Sequence, residues 1–584
     1  MADSGIATIH VPAERLAERA KVARTPEPPR PAPAPQPSSA PADPGLDPVW
    51  QARLQAELET YAQQERERMG LGGAAHFKDV VHDRFTAQER GTTTILVSGL
   101  TIAHDSLVVA GLRGLGYRVQ ALDCPDYESL RYGKEFGNRG QCNPTYFTVG
   151  NLVKFLSQLR DGGMDTREIV QNYVFLTAGA CGPCRFGSYI TEYRKALRDA
   201  GFDGFRVALF QQKGGLDQEG EGDVGLVMNG PFFVRILLSL MIGDALNALM
   251  YRIRPYEVVP GSTDAAIADC KAMLVHVLQT PGELPKMPWT LLRVRHRLAQ
   301  VAVDRRRVKP KVGIIGEFWA MTTEGDGNYK MPTFLEAEGA EVDVQLVTAW
   351  LLYNLWEVRW DTRRRMGLEG KDQGLWGLAD KGDPGRKIWA MHVADRALRG
   401  IFQSIAHTMG LHGYTLPDME KLAEVTQGLY HEEVRGGEGH MEVAKLLLNT
   451  RHRKVNLTLS VKPFGCMPSS GVSDGVQTVV QAIHPEALYL PVETTGDGAV
   501  NVYSRVQMML FKARQQAHSE VADAAQAHGV TVDEVQQFAA KVGVWGRALY
   551  RAPHTAACTA ADVTADAARW LGRVRRLRAA AGLA

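Results

Sequence analysis

Between residues 92 and 223 the apolar positions alternate between two rhythms. TTTILVSG is a short β-branched run of strand character, AHDSLVVAGLRGLG has helical spacing and a glycine stop, and YRVQALD returns to strand. PTYFTVGNLVKFLSQLRDG then predicts a helix, NYVFLTAG a strand, RFGSYITEYRKALRDAG a helix and FRVALFQQ a strand. Strands alternating with helices predict a mostly parallel, doubly wound sheet. Residues 224–305 read as helical. A second α/β unit begins at Lys311 with KVGIIGEF (strand), YKMPTFLEAEG (helix) and AEVDVQLV (strand). After a mainly helical stretch, roughly 349–450, VNLTLSVKPFGC and EALYLPVE read as strands around the helix SDGVQTVVQAI. The end of the chain reads as helical. There is no repeat of 20–50 residues, although the two α/β units have the form of distant duplicates.

The fold class expected is therefore α/β: two doubly wound, Rossmann- or flavodoxin-like parallel-sheet units. The expected division is a disordered tail and Pro/Ala-rich linker over 1–48, a helical lead-in over 49–90 and a first α/β domain over 91–223. A helical insertion over 224–310, a second α/β domain with a helical middle over 311–500 and a helical C-terminal region over 501–584 complete it. The linker TPEPPRPAPAPQPSSAPADPGLDP has too few large apolar groups to offset the entropy of ordering. The most apolar long segment, VGLVMNGPFFVRILLSLMIGDALNALMYRI, is interrupted by Pro231, Arg235 and Asp244, which favours a buried helix pair over a membrane span.

Composition narrows the function classes. The chain of 584 residues is long enough for several buried cores, and its net charge of +2 gives no global case for nucleic acid or an anionic membrane. Seven cysteines are few and odd in number, which fits a reducing cytoplasm better than a secreted disulfide scaffold. The N-terminal stretch lacks a basic-then-apolar signal pattern.

Three cysteines share one local form: Cys142-Asn-Pro, Cys181-Gly-Pro and Cys466-Met-Pro. Proline two residues after the thiol fixes a tight turn and removes a competing N–H. All three fall in predicted loops, and the carboxyl ends of parallel strands are where such sheets assemble sites. Cys181 and Cys184 lie between a strand and a helix start, where partial positive charge favours a thiolate or an anionic metal–sulfur centre. Gly182 lets the backbone approach and donate N–H to sulfur. Three readings stand. A thioredoxin-like dithiol explains CGPC but gives Cys142 and Cys466 no role and has Ala180 at the customary tryptophan position. A structural zinc site normally uses two close CxxC pairs, and there is one. An iron–sulfur cluster would take Cys142, Cys181, Cys184 and Cys466 as ligands. Spacing leaves all three open. Cys270 reads as a buried small hydrophobe, Cys558 as incidental, and Cys124 as a loop thiol and reserve ligand.

LVSGLTIAHDSLVVAGLRGLGYRV, GKEFGNRGQCNPTYFTVGNLVKFL, TAGACGPCRFGSYITEYRKAL and FGCMPSSGVSDG together resemble the 2-hydroxyacyl-CoA dehydratase / CoA-activase-related family. The likeness is to the cysteine-bearing part of the long activase-related proteins, more distantly to double-cubane-cluster reductases, and covers roughly 90–520. VGIIGEFWAMTTEGDGNYKMPTFLEAEGAEV is similar to the family's second α/β unit. The resemblance implies an oxygen-sensitive [4Fe–4S] cluster, or a double-cubane variant, on Cys142, Cys181, Cys184 and Cys466. It further implies low-potential electrons from an ATP-hydrolysing activase and an acyl-CoA substrate. No P-loop motif is present, and there is no room for an actin/sugar-kinase-type ATPase domain before residue 90, so a separate ATPase partner is expected. A homo- or hetero-oligomer is compatible with this.

Further candidates have structural as well as functional readings. Asn138, ahead of Cys142, could tune a cluster or sit in a solvated turn. Glu317, at a strand end, could enter the cleft as an acid or base. Glu438 and His440, catalytic candidates with His440 as a proton donor or metal ligand, open a predicted helix, where capping also accounts for a glutamate. Ser469, Ser470, Ser473 and Asp474 read first as loop and N-cap residues. The basic runs 303–311 and 359–367 read as solvated faces, with CoA phosphates or an acidic partner as the functional alternative.

Overall fold

The computed structural model describes residues 48–68, 85–179, 184–211, 225–366, 383–431, 434 and 439–581. Cys181, Gly182 and Glu438 lie outside them, as does the predicted tail and linker up to residue 47. The described residues fall into two units, divided after residue 81. In the first, α1 (Pro48–Arg68) is a polar helix with an exposed Arg53–Glu57 pair, within the expected helical lead-in.

The second unit begins its first sheet with β1 (Thr94–Val97), α2 (Ile102–Arg113), β2 (Arg118–Ala121), α3 (Tyr127–Phe136) and α4 (Asn143–Asp161). α5 (Thr166–Asn172), β3 (Tyr173–Gly179), α6 (Tyr189–Asp199) and β4 (Arg206–Gln211) follow. All pairings are parallel, in the order β2-β1-β3-β4. Alternation along the strands covers both faces: Leu96, Phe175 and Val207 meet Leu152, Tyr193 and Leu197, while Ile95, Val97 and Val174 meet Leu112, Val119 and Phe232. α3 and α4 cross at glycines: a Cβ on Gly150 would lie 1.8 Å from Ser129 O, and one on Gly133 1.9 Å from Tyr146 O. That close crossing fixes the start of α4, and with it Cys142.

α7 (Gly230–Ile253), α8 (Ser262–Gln279) and α9 (Met287–Ala299) form the predicted helical stretch. Here one expectation is corrected: the most apolar segment is one helix of 24 residues, not a pair. Pro231 sits in its first turn, where no N–H is missed. Arg235 donates to Leu278 O at 2.5 Å, and Asp244 accepts from Val347 N, Thr348 N and Thr348 Oγ1 at 2.8, 2.6 and 2.6 Å. The polar residues that looked like interruptions are thus buried and satisfied by other elements. Gly230–Tyr256 is long and apolar enough to cross a membrane, and 67% of its most apolar window is buried inside the protein.

The second sheet comprises β5 (Lys311–Gly316), α10 (Phe318–Thr322), α11 (Met331–Ala337), β6 (Glu341–Val344), α12 (Val347–Met366), α13 (Pro384–Met409), α14 (Met419–Thr426) and α15 (Gly439–Arg451). It is completed by β7 (Leu457–Pro463), α16 (Met467–Gly471), a π-helical turn (Val472–Val476), α17 (Gln477–Ile483) and β8 (Tyr489–Thr494). The order is β6-β5-β7-β8, again all parallel. Val312, Ile314, Leu459 and Val461 enter the largest core, whereas Ile315 and Tyr489 face Val443, Leu447 and Val480. α7 joins the sheets: it lies against α2 of the first and β6 of the second.

The C-terminal helices are α18 (Ala499–Gln526), α19 (Val532–Val542) and α20 (Thr559–Ala580). Buried Glu520 accepts from Asn456 Nδ2 at 3.1 Å and Cys558 N at 2.8 Å, tying this region to the start of β7. Cys558 is fully buried and stands at the N-cap position of α20. The basic runs are not simply solvated faces either. Arg305 and Arg359 are both buried, the first donating to the carbonyls of Arg547 and Ala548, the second pairing with Glu420 at 2.6 Å.

Candidate functional site

In both sheets the order reverses direction between the first and third strands, β1/β3 and β5/β7, and connections diverge there to leave a crevice at the carboxyl ends. β5 delivers Glu317, β7 delivers Phe464-Gly465-Cys466, and β3 leads into the CGPC segment, of which Cys184 is described. Cys142 and Cys466 each occupy the N-cap of a helix, with Pro144 and Pro468 in the first turn. Cys184 caps the 3₁₀ turn Arg185–Ser188, its sulfur accepting from Phe186 N at 3.5 Å.

The loops of Cys142 and Cys466 touch. Asn143 N donates to Phe464 O at 3.0 Å. Gly465, at φ 78°, lies so close that an added Cβ would be 3.3 Å from Cys142 Cα. Arg185 donates to Gly140 O, and Phe186 meets the Tyr189 ring edge-on at 5.1 Å, so the Cys184 turn is tied to the same loop.

The two central thiols have different surroundings. Cys142 Sγ lies 3.0 Å from Tyr189 Oη and 3.1 Å from Thr145 Oγ1. Burial, then its neighbours Cys142 and Glu317, holds the Tyr189 phenol well above its ordinary value, so it stays protonated. Cys466 has acids instead. Burial, then the Glu317 carboxylate, raises its thiol far above the ordinary range, against donors from Ser469. Glu317 caps α10, accepting from Ala320 N at 2.8 Å, and burial raises its own carboxyl. Glu442 accepts from Ser469 Oγ at 2.8 Å, and burial first, with Glu317 adding, lifts it to about 7.

Asn138 engages Glu192 rather than sulfur: its N and Nδ2 donate at 3.1 and 2.8 Å, and Gln141 Nε2 reaches the same carboxylate at 2.9 Å. It shapes the loop that carries Cys142. His440 is buried among aromatic rings, 5.2 Å from Trp356 and 4.9 Å from Tyr430. Ser470 donates to Cys466 O, Ser473 pairs with Ser460, and Asp474 pairs with Lys462 at 2.7 Å. Cys124 lies beside Gly325, whose added Cβ would be 3.0 Å from its sulfur, and burial raises its thiol to about 11. Cys270 is buried as expected.

Tyr189, Thr145 and Glu442 were not singled out in the sequence. Thr145 and Tyr189 follow two of the cysteines in CNPT and CRFGSY, and Glu442 stands in the buried run HMEVAKLLL. Among the described residues no three His, Cys, Asp or Glu converge closely enough to hold a metal ion, and Cys181 is not among them. The chemistry of the site nevertheless suits an anionic metal–sulfur group. Hydroxyls of Tyr189 and Thr145 are aimed at sulfur, and the acids beside Cys466 are neutral when protonated. Gln141 Oε1, Asn143 Nδ2 and Glu442 Oε2 are buried with no hydrogen-bond partner among the described residues. No protein-family model matches the chain, and no curated protein matches it either.

Proposed function

We propose that this chain is an iron–sulfur protein of the 2-hydroxyacyl-CoA dehydratase / activase-related type. It accepts low-potential electrons from a separate ATP-hydrolysing activase and supports reductive or dehydration chemistry on an acyl-CoA in the cytoplasm. The cluster ligands are Cys142, Cys181, Cys184 and Cys466. The observation that carries the reading is the contact between the Cys142 and Cys466 loops, which come from different sheets and distant parts of the chain. A dithiol exchanger using Cys181 and Cys184 would have no need of that contact.

A bound cluster supplies one-electron chemistry at low potential. The chain's own residues do the rest. The hydroxyls of Tyr189 and Thr145 lie within hydrogen-bond distance of the Cys142 sulfur and would donate to it as a thiolate ligand. Burial raises the carboxyls of Glu317 and Glu442, the latter to about 7, which places Glu442 as a proton donor beside Cys466 near neutral pH. The test is anaerobic purification with iron and sulfide analysis, followed by EPR of the reduced protein titrated with acyl-CoA esters. A spectrum indifferent to every ester would restrict the role to electron transfer. Reduction of insulin disulfides by iron-free chain would favour the dithiol alternative.

A further inference from the structure

A cavity of about 650 Å³ lies against β5 and β6, and no residue of the thiol site lines it. Its walls come from those strands, α7, the 411–418 loop, α15 and the segment leading into α20. The volume suits a small metabolite.

The charge on these walls is unbalanced. Most lining carboxylates are already engaged. Glu341 pairs with Lys311 at 3.0 Å, Asp244 caps α12, and Asp562 accepts from Thr555 N and Ala556 N at 2.5 and 3.0 Å. Asp418 caps α14. Among the described residues no ion pair reaches Arg252, Arg305, Arg551 or Lys445. The three guanidiniums donate only to main-chain carbonyls: Arg252 to His412, Arg551 to His412 and Gly413, Arg305 to Arg547 and Ala548. Carbonyls fix a guanidinium in position without neutralising it. Burial first, then the like charges of Arg551 and Arg305, pulls Arg252 down to about 10, and burial pulls Lys445 down to about 8. Asp343 on β6 is the one lining carboxylate without a hydrogen bond or ion pair among the described residues. Arg305 is buried, Arg252 and Lys445 are half-buried, and Arg551 and Asp343 are exposed; like charges gathered along one wall are costly until an anion enters.

We infer that this cavity binds a small, multiply charged oxyanion, a phosphate ester or a polycarboxylate, through Arg252, Arg305, Arg551 and Lys445. The inference is independent of any metal at the thiols. It is tested by calorimetric titration of the full chain with inorganic pyrophosphate and, separately, with citrate. One saturable site is expected for at least one probe; the preferred probe tells phosphate from carboxylate. Lys445→Met and Arg551→Gln should each weaken binding about tenfold. Asp343→Asn should tighten it, an effect that a merely loosened fold would not produce. No saturation by either probe up to about 1 mM, or an affinity unmoved by all three variants, would overturn the inference.

Discussion

The two sheets are built alike and finish differently. Each runs second-first-third-fourth, and each first strand is followed or closed by a glycine at strongly positive φ: Gly99 at 122° and Gly316 at 130°. Beyond Gly99 the chain reaches Thr101, whose hydroxyl caps α2 and lies 2.8 Å from His104 Nδ1. Beyond Gly316 it reaches Glu317, a half-buried carboxyl beside Cys466. The same division runs through the thiols, with Cys142 among hydroxyls and Cys466 among acids. A hydroxyl donates at every ordinary pH, whereas a carboxyl donates only while protonated. The immediate surroundings of the two thiols thus differ, hydroxyls at Cys142 and titrating carboxyls at Cys466.

The largest expected effect separates the two glycines. An added Cβ on Gly316 would lie 2.0 Å from Val461 O, while one on Gly99 meets nothing within 4 Å. Gly316→Ala should cost about 4 kcal/mol or more, strain plus clash, and Gly99→Ala about 1–3 kcal/mol, strain alone. Urea unfolding midpoints would show it; equal losses would mean that the close approach of β5 and β7 does not govern.

Next is the pH dependence of the Cys466 surroundings. Glu442 titrates near 7 in the folded protein against 4.5 ordinarily. Between those values the folded state holds more protons than the unfolded chain, so stability falls as pH rises through the window and levels off above it. The expected loss is about 3 kcal/mol. Glu442→Gln should flatten that slope, as read from denaturation at pH 5, 6, 7 and 8; an unchanged slope would relocate the titration.

Smaller still are the single donors. Ser469→Ala leaves a buried carboxyl unpartnered and should cost about 2 kcal/mol at neutral pH. Tyr189→Phe removes a donor to sulfur and should cost about 1 kcal/mol. Equal values would blur the contrast between the two surroundings.

The strands were readable because β-branched runs such as TILV and KVGIIG alternate with glycine-stopped helices, a local signal. α7 was misread as two helices because the partners that satisfy Arg235 and Asp244, Leu278 and the start of α12, lie far along the chain. The tight turns at Cys142 and Cys466 were legible from the proline two residues on, though not their places at helix N-caps. Their contact was not, since no local rule brings β7's loop to α4. Glu442 stayed hidden because an acid in the first turn of α15 needs no explanation beyond the helix dipole, until Ser469 is found on it. Asn138 stood in the right loop but acts through Glu192, a partner on α6.

The most direct test of the central claim is iron and acid-labile sulfide per chain after anaerobic purification, measured in the native protein, Cys142→Ala and Cys466→Ala. The account predicts roughly four irons and four sulfides per chain for one cubane, with a clear loss in both variants. A native protein without iron after attempted reconstitution, or a cluster unchanged in both variants, would contradict it.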